Sequence, residues 1–251
     1  MKQIYKLCIL SLLINACTSI NPEGNCSPKD KKNAELNVQL GIEYMRRGRN
    51  NIALQRLKKS LNFCPSFAKG HNAIAVLYER VAETKKAEFH YQQALKYEPE
   101  NPDINSNYGQ FLCRLNKWKE AEKHFLKAVS DPVYNLPEVP YTNAGICALH
   151  NQEIDKAEQY LRKALQNNVK FPRALYQMAV LKYKQNHYPQ ANDYLLRYLR
   201  VAKHTPQTLW LGIRIEKALN NRDKEASYIL LLRKNFPDSA EIQMLNQKNY
   251  H

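Results

Sequence analysis

The stretch "LGIEYMRRGRNNIALQRLKKSLNFCP", residues 40–65, is followed by "IAVLYERVAETKKAEFHYQQALKYEP", residues 74–99, and the two align without a gap at an offset of 34. Leu40 meets Ile74, Gly41 meets Ala75, Tyr44 meets Tyr78, Ala53 meets Ala87, Leu57 meets Tyr91, Ser60 meets Ala94 and Pro65 meets Pro99. Self-similarity at such a period marks a chain built by stacking one supersecondary unit. Gly41 and Ala75 place a small residue on a first helix where a second helix crosses closely, and Ala53 and Ala87 occupy the matching contact on the second. Large apolar residues between them fill ridges and grooves of the packed pair. Pro65 and Pro99 stop the second helix, because proline cannot donate the backbone bond and restricts the residue before it.

The pattern continues with Tyr108, Gly109, Ala121, Phe125 and Ala128, slips by two residues around "DPVYNLPEVP", and resumes with Ala144, Gly145, Ala157, Leu161 and Ala164. A fifth copy carries Met178, Ala179, Ala191 and Leu195, and a sixth carries Leu211, Gly212, Tyr228 and Pro237. Period and residue classes together resemble the tetratricopeptide repeat. The implied fold is all-α, a right-handed superhelix of about six helix-turn-helix units over residues 34–237, with units at about 34–67, 68–101, 102–137, 138–171, 172–204 and 205–237 and a tail at 238–251. One unit cannot bury its own apolar face, so at least about three must stack. The stack leaves a concave surface suited to peptides or domains.

The N-terminus carries a different signal. In "LLINACTSI", residues 12–20, a short apolar block from Leu7 to Ile14 follows Lys2 and Lys6 and ends at Ala16 before Cys17. The block falls well short of the roughly 20 residues that cross a bilayer, and the order of charge, apolar centre and small residue is that of a cleaved export signal. "LINAC" resembles the bacterial lipobox, although Asn15 stands where a small residue is usual. This reads residues 1–16 as a lipoprotein signal peptide, Cys17 as the lipidated first residue and 17–33 as a linker; an ordinary secretory signal with a chance cysteine is the competing reading. In lipoproteins of this kind Asp after the cysteine favours retention at the inner membrane, so Thr18 implies the periplasmic face of the Gram-negative outer membrane.

The formal charge is +15, and losing Lys2 and Lys6 with the signal leaves +13. A balance this basic raises nucleic acid as a partner, but an exported chain would not meet cytoplasmic RNA or DNA. A solvated basic surface, or attraction to membrane headgroups or acidic proteins, remains. Only 7 Gly and no alternating Val, Ile and Thr argue against sheets. With Cys8 and Cys17 in or at the signal, Cys26, Cys64, Cys113 and Cys147 stay in the exported chain. Cys26 and Cys64 are candidates for a bridge stapling the leader to the first repeat, whereas Cys113 and Cys147 fall at apolar helical positions and read as small buried hydrophobes. No CxxC, HExxH, nucleophile elbow, phosphate loop or dinucleotide motif occurs, so no catalytic residue, metal, cofactor or small-molecule substrate is assigned. His90 and His124 stand at equivalent places in successive repeats and read as structural, as does Trp118.

Function is then expected in the inner groove, lined by one face of the first helices. Repeat register selects Val38, Ile42 and Met45 from the first unit, Asn72 and Val76 from the second, Asn107 and Gln110 from the third, and Asn143, Ile146 and Tyr176 from the fourth and fifth. Val38 and Ile42 stand where a chaperone-type carboxylate clamp would need polar groups, so that clamp is not matched.

Two stretches carry a closer likeness: "NYGQFLCRLNKWKEAEKHFLKAVSDPVY", residues 107–134, and "LWLGIRIEKALNNRDKEASYILLLRKNFPDS", residues 209–239. With the lipobox and six repeats they resemble the type IV pilus biogenesis and stability lipoproteins, the pilotins of the pilus secretin. The resemblance implies a noncatalytic outer-membrane protein that binds secretin subunits and promotes their localisation and multimerisation, with Val38, Ile42 and Met45 on a contact surface. The alternative is a periplasmic repeat lipoprotein that recruits peptidoglycan hydrolases or proteases.

Overall fold

The computed structural model describes residues 26–247; the signal peptide, Cys17 and residues 248–251 lie outside the described residues. Within them the chain forms thirteen helices and no strand. Six antiparallel hairpins follow one another: α1 (Pro28–Arg46) with α2 (Asn50–Phe63), α3 (Ala68–Arg80) with α4 (Thr84–Tyr97), and α5 (Pro102–Arg114) with α6 (Trp118–Ala128). Then come α7 (Glu138–His150) with α8 (Ile154–Asn167), α9 (Pro172–Lys184) with α10 (Tyr188–Leu199), and α11 (Pro206–Ala218) with α12 (Arg222–Asn235), closed by α13 (Ala240–Asn246).

Local chemistry sets the helix starts. The side chain of Ser27 accepts the amide of Asp30 at 3.1 Å, and that of Asn101 accepts those of Asp103 and Ile104. Thr205 and Thr208 close a reciprocal capping box. In α1, α5, α9 and α11 a proline opens the helix, where its missing N–H costs nothing. Inside each hairpin the chain reverses through one residue with positive φ: Gly48, Ala82, Asn116, Gln152, Asn186 and Asn220, at φ between 56° and 73°. Glycine and asparagine tolerate this left-handed geometry, while Ala82 and Gln152 hold it at some cost.

The hairpins close on the small residues. A Cβ on Gly109 would lie 2.8 Å from Phe125 Cε1 and 3.1 Å from the Ala121 carbonyl, and one on Gly145 would lie 2.8 Å from Leu161 Cγ. In the sixth hairpin this contact is made by Gly212 against Tyr228, one residue earlier than a strict count of 34 from Ala179 and Leu195 demands. Leu40, although it matches the buried Ile74, is 37% exposed, because no preceding hairpin covers α1.

Successive first helices touch one another, α1 with α3 through to α9 with α11, whereas second helices make no comparable contact with each other. The first helices therefore crowd on the concave side and the second helices fan out on the convex side. Two disulfides tie this stack. Cys26–Cys64, with Cα atoms 5.5 Å apart, pins the segment before α1 to the end of α2. Cys113–Cys147, Cα atoms 5.7 Å apart, joins α5 to α7 across two repeats. The expectation that Cys113 and Cys147 are merely small buried hydrophobes is corrected here: they are buried, but the close approach of adjacent first helices brings their side chains together. Bridges of sequence separation 38 and 34 restrict the unfolded chain by about 3–4 kcal/mol each in the chain-entropy model.

His90 and His124 link second helices to first. His124 Nδ1 lies 2.9 Å from Asn105 Oδ1, and His90 Nδ1 lies 3.0 Å from His71 Nδ1. His71 Nε2 donates to the Pro65 carbonyl, which can only accept. Neutral His71 therefore accepts at Nδ1, and His90 is the donor. Burial, with His71 and Lys58 nearby, lowers the pKa of His90 to about 4.

Two predictions follow from the packing and one from the histidines. Ala82→Gly should raise stability by about 0.5–1 kcal/mol by relieving the left-handed turn, and Gly109→Val should lower it by about 1–3 kcal/mol through overpacking; urea denaturation measures both. Because the folded pKa of His90 lies below the ordinary value of 6.5, its contribution is complete above about pH 6.5 and is lost as pH falls toward 4. Thermal midpoints should fall over that interval, and His90→Gln should flatten the decline.

Candidate protein-binding groove

The concave surface is built from the last three turns of the first helices, and its polar residues are held by one another across repeats. Asn107 donates to Asn72 Oδ1 at 3.3 Å, and Asn143 donates to Ser106 Oγ at 3.2 Å. Val76, Asn107 and Gln110 line a cavity of about 400 Å³ with Glu79, Arg80 and Arg114. Gln110, Asn143 and Ile146 line a second, of about 370 Å³, with Arg114, His150 and Arg173. Gln110 and Arg114 belong to both, so the two form one groove running from the second repeat to the start of the fifth.

The other expected residues fall elsewhere. Val38 and Met45 are 4% and 8% exposed, packed with Leu57, Ile74 and Leu77, and Ile42 sits half-buried against the same cluster. They belong to the seam between the first two repeats, so the expectation that they line the groove does not hold for Val38 and Met45. Tyr176 is half-buried, its ring 6.3 Å from that of Tyr198, outside both cavities.

The register reading passed over the charges. Arg46, Arg80, Arg114, His150 and Lys184 end successive first helices, a column of basic groups whose spacing follows the repeat, including its one two-residue slip. A cation there complements the negative end of the helix. It also reaches back along the groove: Arg80 donates to the Met45 carbonyl at 2.6 Å, and Arg114 forms an ion pair with Glu79, whose other oxygen accepts from Tyr91 at 3.0 Å. This column could have been found from the sequence by reading down the repeats instead of along them.

Arg173, from the first turn of α9, enters the same cavity without a carboxylate within ion-pair distance among the described residues. Burial pulls its pKa down, and burial together with Arg173 does the same to Arg114. Asn143, 5% exposed, keeps an Oδ1 with no hydrogen-bond partner. The groove centre thus offers an uncompensated guanidinium and the apolar surface of Ile146: features that suit an extended polypeptide carrying a carboxylate. Among the described residues no His, Cys, Asp and Glu cluster could hold a metal ion.

Comparison with known proteins agrees with this architecture. Residues 82–131 match the tetratricopeptide repeat family. The chain is 34% identical over 206 residues, 82% of each sequence, to the type IV pilus assembly protein PilF of Pseudomonas aeruginosa strain PAO1. A solved structure of Pseudomonas aeruginosa PilF matches with a TM-score of 0.75 and 31% identity, covering 88% of this chain and all of that one. The crystal structure of PilW, described as a widely conserved type IV pilus biogenesis factor, matches with a TM-score of 0.76 and 33% identity over 84% of this chain and 97% of its own.

Since Arg173 and Arg114 repel one another in the empty groove, Arg173→Gln should keep or slightly raise the thermal midpoint. A marked fall would show that Arg173 serves the fold instead.

Proposed function

The chain belongs to the family of the type IV pilus assembly protein PilF, and on that footing we propose that it is a lipid-anchored receptor of the outer membrane that captures pilus secretin subunits in its concave groove. The observation that carries the partner-binding part is the continuous groove through the second to fifth repeats, with its unpaired Arg173. Nothing in the proposed role requires bond chemistry. A secretin segment with an acidic side chain or terminal carboxylate would pair with Arg173 and relieve its repulsion with Arg114. Charge-assisted contacts of this kind are the stronger class of hydrogen bond.

Anchoring then does the mechanistic work. A receptor held at one membrane by lipid on Cys17 turns subunit encounters there into events at a raised local concentration, and ring assembly is favoured at that membrane by mass action. A groove of this size gives specificity through a few placed polar groups, and assembly of the ring can release the subunit by burying the same segment between neighbours.

The test is the amount and membrane location of heat-resistant secretin multimers in a deletion strain complemented with the intact gene, Cys17→Ala or Arg173→Glu. The intact gene should restore multimers in the outer membrane, Cys17→Ala should misplace them, and Arg173→Glu should reduce them several-fold at equal protein level. Normal multimers in the uncomplemented deletion would refute the role; normal multimers with Arg173→Glu would refute the groove.

A further inference from the structure

The convex face of the first two repeats has a character of its own. Between Glu43 and Glu79 the sequence contains no Asp or Glu and seven Lys or Arg. Arg46 and Arg47 pair with Glu43, and Lys69 pairs with Glu35. Arg49, Arg56, Lys58 and Lys59 have no carboxylate within ion-pair distance among the described residues. Lys59 Nζ stands 6.0 Å from the centre of the Phe63 ring, and one repeat on Lys96 stands 5.8 Å from that of Tyr97. Phe63 and Tyr97 are equivalent, each the last residue of its second helix. Phe89 is 54% exposed on the same helix as Tyr97. Lys58 lies beside His90, which contacts Phe89 and His71, and His71 in turn contacts Tyr97, so these groups share one edge. The nearest acids on α4's end are engaged elsewhere, Glu98 by Asn101 and Glu100 by Lys127.

The leader leaves the fold at this edge. Cys26 is bonded to Cys64, the residue after Phe63. Cys26 follows Cys17 by nine positions. Nine residues reach at most about 30 Å when fully extended. Lipid on Cys17 would therefore keep Phe63, Lys58 and Lys59 close enough to reach the bilayer surface, where anionic headgroups act on basic side chains within a Debye length. Cations beside aromatic rings are the pattern that settles at a membrane interface, rings at headgroup level and ammonium groups outward.

We propose that the convex face of the first two repeats, centred on Lys58, Lys59, Phe63, Lys96 and Tyr97, docks onto an anionic phospholipid surface and orients the superhelix on its membrane. The proposal rests on the lipid-anchor reading for its geometry. The Cys26–Cys64 bridge fixes the point from which the linker departs, beside the end of α2. The groove, on the opposite first-helix side, then opens away from the bilayer toward incoming subunits.

Lysine acetylation footprinting on the full acylated chain tests this, in vesicles of phosphatidylcholine alone or mixed with phosphatidylglycerol. Lys58, Lys59 and Lys96 should label about fivefold more slowly on the anionic vesicles, and high salt should erase the difference. Lys163, Lys170 and Lys184, exposed in the fourth and fifth repeats, should label alike on both. In a Lys58→Glu, Lys59→Glu variant the protection of Lys96 should disappear while the helical spectrum stays intact. Equal labelling on the two vesicle types, or the same protection at Lys163, Lys170 and Lys184, would overturn the docking face. Intact mass reports separately on acylation: a chain without acyl groups refutes the anchor, and the same footprint on that chain with anionic vesicles still decides the face.

Discussion

Everything in this molecule depends on the close crossing of two helices at a residue with almost no side chain. At Gly41, Gly109 and Gly145 the space a Cβ would need is already taken by the large apolar residue sixteen positions later, Leu57, Phe125 or Leu161. That contact makes a hairpin, but it leaves each hairpin with an uncovered apolar flank. The next first helix covers it, and the process repeats along the stack. The exposed Leu36 and Leu40 on α1, and Leu230 on α12, show what the terminal hairpins leave open. Stability is therefore a sum of hairpins and the seams between them. The concave and convex faces are by-products of that rule, since crowding first helices together necessarily spreads the second helices.

The concave groove lies where this packing has least need of side chains. The groove residues sit on first helices but point away from the hairpin contact, so Gln110, Ile146 and Arg173 are free of the core's demands. The price appears at Asn143, buried with an unmet acceptor, and at Arg114 and Arg173, two cations sharing one cavity. Such local dissatisfaction is tolerable in a stack whose seams are otherwise apolar, and it marks the groove centre as a place that gains when filled.

The fold was legible because a period of 34 fixes which residues must be small and which large, and Gly109 against Phe125 obeys it directly. The groove was half legible. Val76, Asn107, Gln110, Asn143 and Ile146 came from register alone, since register decides which way a helix face points. Val38 and Met45 obey the same register and are nonetheless buried, because the first seam closes over them. Arg173 lies in the first turn of α9, away from the other lining residues in repeat position, yet it lines the same cavity. The Cys113–Cys147 bridge is hidden for another reason: the two cysteines stand two residues out of register once the slip is counted, and each reads as core until the spacing between adjacent first helices is known.

The two bridges also give the chain a direction of yielding. A linear stack opens from its ends, but the N-terminal end is clasped by Cys26–Cys64, whereas α12 at the other end buries a single residue, Leu232. Unzipping begins at the C-terminal hairpin and travels inward until Cys113–Cys147 holds the fourth repeat to the third. Pulled through a bound partner, the protein would thus shed its far hairpins first and keep its N-terminal half folded, like a cleat that releases rope from one side only.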